Sequence, residues 1–115
     1  MWKVVFVPEA LAERDELPLS ERNAMQSAIE KLKVTGDQLG APHSSSVQGV
    51  NVTLRELRPR RGRSPYRAFY RRIGPTMVVG SVGPEAQVDR RGFDRAVSLA
   101  IERLADFTFQ GRNDA

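Results

Sequence analysis

The sequence predicts an α+β domain: a small antiparallel sheet with an N-terminal helical hairpin and a C-terminal helix packed on one face. Three observations lead there. Apolar residues recur at helical spacing near both ends of the chain, at Ala24, Met25, Ala28, Ile29 and Leu32 and again at Phe93, Ala96, Val97, Ala100, Ile101, Leu104 and Phe107. Between these stretches, residues 50–58, 66–72 and 76–82 are β-branched or aromatic segments bounded by turn residues. A chain of 115 residues suffices for one core and not two, so a single domain is expected over residues 1–109, with a tail at 110–115.

The elements follow in order. Residues 2–7 read as a strand ended by Pro8, and residues 9–16 as a short helix. A second helix is expected after Pro18, with Ser20 as its N-cap and Gly36 where a C-terminal glycine cap belongs. Residues 37–49, rich in Gly, Pro, Ser and Gln and carrying His43, read as an irregular connection. In residues 50–58, Leu54 and Leu57 have opposite parity, which predicts a bulge or bend there. Residues 59–65 make a glycine-bearing turn, after which Arg67, Phe69 and Arg71 alternate with Tyr66, Ala68 and Tyr70. Gly74-Pro75 then turns the chain into the apolar strand 76–82. A sheet covered by helices on one face leaves the other free for a ligand, so function is expected on the open face.

Charge is distributed unevenly. Residues 55–72 contain eight arginines, no lysine and one acid, Glu56, a local net charge of +7 in a chain whose total is only +4. Such clustering points to phosphate, for which guanidinium offers a planar bidentate donor set, and Tyr66, Phe69 and Tyr70 are interleaved to pack beneath it or stack on bases. Other classes are excluded. No run of about 20 apolar residues is present to span a membrane, and the opening MWKVVFVPEA is too short a run for a signal peptide. The chain has no cysteine, hence no disulfide framework or thiolate nucleophile, and its single histidine rules out a multi-histidine metal site. A cytoplasmic location is expected.

Leu54-Arg55-Glu56-Leu57-Arg58, then Tyr66-Arg67-Ala68-Phe69-Tyr70, then Met77-Val78-Val79-Gly80 together resemble the signature of the phage-derived Gp49-like toxins, in the HigB branch of the RelE/ParE superfamily. Upstream, Leu32, Gly36, Leu39-Gly40 and Pro42-His43 sit where that family carries its leucine, glycine and proline pattern. The resemblance implies a RelE/ParE-like fold and the toxin of a type II toxin–antitoxin pair. Such a toxin cuts mRNA, usually on the ribosome, as a metal-independent endoribonuclease. It implies a helix-turn-helix antitoxin as partner, with oligomerisation through that antitoxin, and no cofactor. The chain departs from the pattern in having Ser44-Ser45-Ser46 and Val82-Gly83-Pro84-Glu85 where lysines are common, and in having neither tyrosine nor histidine after Phe93. A ParE-like, non-catalytic gyrase inhibitor and a non-toxic module that binds nucleic acid or a protein partner are the alternatives.

Cleavage by an internal 2′-hydroxyl requires proton removal, stabilisation of a charged pentavalent phosphate and protonation of the leaving oxygen. Arg67, which resembles the family's strand arginine, is the first candidate for the phosphate clamp, with an ion pair to Glu56 as its structural alternative. Arg58 is the second. Arg60, Arg61 and Arg63 in the turn, with Arg55 and Arg71 on the strands, are assigned to RNA backbone attraction. Glu56 orients an arginine or serves as base. Glu85 and Asp89 are further carboxylate candidates, with capping of the C-terminal helix the simpler role for Asp89. His43 is suited to acid–base work but lies far along the chain from the strands.

Overall fold

The computed structural model describes residues Met1 to Asp114, with side chains described through Phe107. The chain runs β1 (Lys3–Phe6), α1 (Pro8–Asp15), α2 (Leu19–Thr35), a 3-10 turn (Gly36–Gln38), β2 (Ser44–Ser46), β3 (Arg55–Leu57), an arginine turn (Pro59–Gly62), β4 (Tyr66–Ile73), β5 (Thr76–Pro84) and α3 (Arg90–Asp114). The strands form one sheet in the order β1-β5-β4-β3-β2. The α+β class, the helical hairpin and the C-terminal helix are as expected. α3 is helical through residues 110–114, where a tail was expected; the side chains there and Ala115 lie outside the described residues.

Four details differ from expectation, each for a physical reason. The sheet is mixed, because β1 pairs parallel to β5, with Lys3 opposite Thr76 and Phe6 opposite Val79. A crossover containing two helices separates β1 from the rest, and such a connection permits the parallel pairing that a tight hairpin forbids. β2 lies inside the segment read as irregular: serine has weak strand preference, yet Ser44 pairs opposite Leu57 and its hydroxyl is hydrogen-bonded to that of Tyr70 at 2.6 Å. α2 begins directly after Pro18, whose extended backbone makes it the N-cap, so Ser20 lies within the first turn and makes no capping bond. The register shift falls between β4 and β5 and not in residues 54–57, since Phe69 pairs with Ser81 and Tyr70 with Val79, leaving Gly80 as the extra residue. A side chain at Gly80 has no room, for its Cβ would lie 2.8 Å from Leu104 and 3.0 Å from the Ala100 backbone.

Helices cover both faces, and this moves the site. Phe69 meets Phe93 of α3 edge to face at 5.3 Å, and Ser81 donates to the Ala96 carbonyl at 2.6 Å. Glu56 is opposite Phe69 and shares this face, whereas Leu57, opposite Ala68, faces Ala24 and Ala28 of α2 on the other side. Met25, Ala28, Ile29 and Leu32 of α2 and Phe93, Ala96, Val97, Ala100 and Leu104 of α3 are all buried against the sheet. Burying each leucine-sized side chain contributes about 1.5–3 kcal/mol. Because α3 lies over β4 and β5, the part of its face above β3 and the arginine turn stays open. No helix among the described residues is long and apolar enough to cross a membrane.

Candidate nucleic-acid interface

The arginine turn is shaped by ties to distant parts of the chain. Arg60 and Arg61 both have left-handed backbones, at φ 54° and 58°, a conformation that costs a non-glycine residue on the order of 1 kcal/mol. Glu21, at the start of α2, offsets that cost. Its carboxylate pairs with the Arg60 guanidinium and accepts from the Ser64 hydroxyl at 2.7 Å, while Arg60 also donates to the Ser20 carbonyl at 3.2 Å. Partial burial raises the Glu21 pKa, but the hydrogen bonds from Ser64 and Arg60 outweigh it and hold the carboxyl below the usual glutamate range. Gly62 closes the turn at φ 91°, and the Arg58 guanidinium packs where a Cβ would stand, 2.8 Å from that position. Sequence reading missed this anchor, because nothing in a helix start more than thirty positions upstream marks Glu21 as the partner of a turn.

Arg67 sits at the floor of a cleft of about 370 Å³ lined by Glu56, Arg58, Arg63, Arg67 and Glu85 among others. It is only 2% exposed. Its Nε donates to Glu56 at 3.3 Å, one terminal nitrogen to the Ser64 and Tyr66 carbonyls at 2.7 and 3.0 Å, and the other to the Gly62 carbonyl at 3.2 Å. Glu85 stands 3.7 Å away. Burial first, then the neighbouring Arg58, pull the Arg67 pKa below its ordinary value, against the opposing pull of Glu56 and Glu85. The cross-strand pair with Glu56, named from sequence as the structural alternative, is thus present, and the fork is turned toward the protein.

The other predicted residues separate into groups. Arg58 lies 3.6 Å from Glu56 and 3.4 Å from the Ser45 hydroxyl, with a third of its side chain exposed. Arg63 is exposed on the cleft wall, its Nε on the Arg60 carbonyl at 3.3 Å. Arg61 is exposed too, but lines a second cavity, on the α2 side. Arg55 points to that same side of the sheet and is engaged by Ser44, Ser46 and the Leu39 carbonyl at 3.0–3.4 Å. Arg71 is half-buried on the Phe69 side of β4 by alternation. Asp89 caps α3, its Oδ1 accepting from the Gly92 amide at 2.9 Å. His43 is nearer the sheet than its sequence position suggested: its carbonyl accepts from the Arg58 amide at 2.8 Å, and it lines the α2-side cavity.

Chemically, the cleft sets cations beside two partly buried carboxylates, a combination able to hold a phosphate and take up a proton. Residues 12–79 match the family model of the phage-derived Gp49-like proteins, more than half of the chain. No curated protein matches the sequence. Among solved structures, the free state of the Escherichia coli toxin RelE, as a double arginine-to-alanine mutant, superposes with a TM-score of 0.63 at 20% identity, covering 89% of this chain and 96% of that one. That likeness establishes the fold. The chain belongs to the phage-derived Gp49-like family.

Proposed function

We propose that the chain is the toxin of a type II toxin–antitoxin pair and that it inhibits translation in the cytoplasm by cutting mRNA, on the ribosome or free, in the cleft above β3. The observation that carries this reading is the placement of Arg58, Arg63 and Arg67 against Glu56 and Glu85 in one open cavity. Arg58 and Arg63, partly or wholly exposed, grip the scissile phosphate and stabilise the pentavalent intermediate. Arg67 acts from the floor, as a fixed charge that also orients Glu56. Glu85, held only at 3.7 Å by Arg67, is the freer carboxylate and accepts the 2′-hydroxyl proton as the 2′-oxygen bonds to phosphorus, after which the phosphorus–5′-oxygen bond breaks and the leaving oxygen takes a proton from water. A helix-turn-helix antitoxin silences the chain by covering the arginines with acidic side chains. Induced expression with transcript-end mapping tests this: new transcript ends and arrested growth are expected, and growth arrest without new ends overturns it.

One observation favours a second reading, a non-catalytic inhibitor comparable to the gyrase-directed branch. Ser44, Ser45 and Ser46 occupy the strand beside the cleft with hydroxyls that bind Arg55 and Arg58, so β2 supplies no cation of its own. This reading predicts toxicity with intact transcripts and damaged DNA.

A further inference from the structure

We infer that the cavity between α2 and the arginine turn is a nucleotide-phosphate site, separate from the Glu56–Arg67–Glu85 cleft. It encloses about 340 Å³, and its wall includes Lys31, His43, Arg58, Arg60 and Arg61 but no carboxylate. Arg60 is neutralised by Glu21. Arg58 stands 3.6 Å from Glu56, which lies outside this cavity. Neither Lys31 nor Arg61 has an ion-pair partner among the described residues. The Arg58 Nε is buried with no hydrogen-bond partner there. Cations held together without an acid on the same wall repel one another, and an entering anion relieves that repulsion.

The shape narrows the ligand. Ala24, Ala28 and Leu57 give the cavity an apolar wall against which a base can lie while the phosphate meets Lys31, Arg58 and Arg61. The left-handed backbone at Arg61, fixed through Arg60 and Glu21, holds that residue at the cavity wall, leaving only side-chain freedom to be lost on binding. Arg58 lines both cavities, so an RNA strand seated in the cleft continues around the arginine turn into this one. The inference rests on the reading of the chain as RNA-binding and extends it to a second point of attachment. The same chemistry accepts a free nucleotide.

The test is amide-shift titration of the full chain with inorganic phosphate, a 5′-mononucleotide and a short single-stranded RNA. Saturable shifts are expected around Lys31, His43 and Arg61 with the mononucleotide. Lys31→Ala and Arg61→Ala should each weaken its binding about tenfold, whereas Lys33→Ala, whose lysine pairs with Glu30 outside the cavity, leaves it unchanged. RNA binding tighter than the mononucleotide, with shifts in both cavities, identifies a strand as the ligand; equal binding identifies a free nucleotide. Absence of saturable shifts, equal loss in all three variants, or saturation by an acidic peptide but not by nucleotide overturns the inference. Growth assays run alongside keep the two readings apart, since phosphate binding in a non-toxic chain preserves this site and sinks only the toxin.

Discussion

At the floor of the cleft Arg67 is 2% exposed and gives its donors to Glu56 and to three carbonyls of the adjoining segment, whereas Arg61, in the turn above, is exposed and has no ion-pair partner among the described residues. Both belong to one arginine-rich stretch, yet only the second is available to a ligand without breaking the fold. A buried guanidinium must satisfy its donors internally because each orphaned one is costly, and carbonyls released by a left-handed turn are ready acceptors. Arg67 therefore builds the cleft, and Arg61 is left to meet a ligand on the α2 side.

The largest effect expected from this contrast is on stability. Arg67→Ala leaves Glu56 partly buried beside Arg58 alone and orphans the three carbonyls, so thermal or urea unfolding should show a loss of about 3–5 kcal/mol. A variant as stable as the parent erases the distinction between the two arginine groups. Arg58→Ala should do the opposite. With a third of its side chain exposed, its removal should cost under about 1 kcal/mol of stability while transcript cleavage falls about 10²–10³-fold, read by end mapping.

A smaller effect concerns the anchor of the turn. Glu21 is held below 4.5, the ordinary glutamate value, so its contribution is present above that pH and is lost as pH falls through the folded-state value. Glu21→Gln should remove about 1 kcal/mol at neutral pH and flatten the acid limb of a stability–pH curve, an outcome that calorimetry at pH 7 and pH 3 checks. An unchanged acid limb means the turn does not depend on α2. The smallest effect is at Arg61, where Arg61→Ala should lower the slope of log affinity for RNA against log salt by roughly one unit.

The course of the chain was readable where local chemistry decides it. The spacing of Phe93, Ala96, Ala100 and Leu104 announces α3, and the alternation of Arg67 with Ala68 puts Arg67 beside Phe69, though on the face that α3 packs against and not on an open one. The cross-strand Glu56–Arg67 pair was named as the alternative to a phosphate clamp, because facing strands often pair opposite charges. What stayed hidden depends on pairs remote in sequence. Ser44–Ser46 become a strand only because β3 and Tyr70 offer partners, and Gly80 becomes a bulge only through the register of two strands at once. Glu21 carries no local sign of its bond to Ser64, and so the residue that fixes the arginine turn was not among the candidates.

The parallel pairing of β1 with β5 bears on when this chain can act during its own synthesis. Val4 and Val5 leave the ribosome among the first residues, but their partners Met77 and Val78 emerge only after two helices, three strands and the arginine turn have been made. Until then the nascent chain lacks β5, the strand that β1 pairs with and α1 packs on, and closing so long a loop carries an entropy cost that non-local contacts must recover. Glu85, the carboxylate at the cleft wall, emerges later still, just before α3. A truncated product lacking the last third of the chain thus holds most of the arginines but neither β5 nor Glu85, and so lacks the cleft that gathers them.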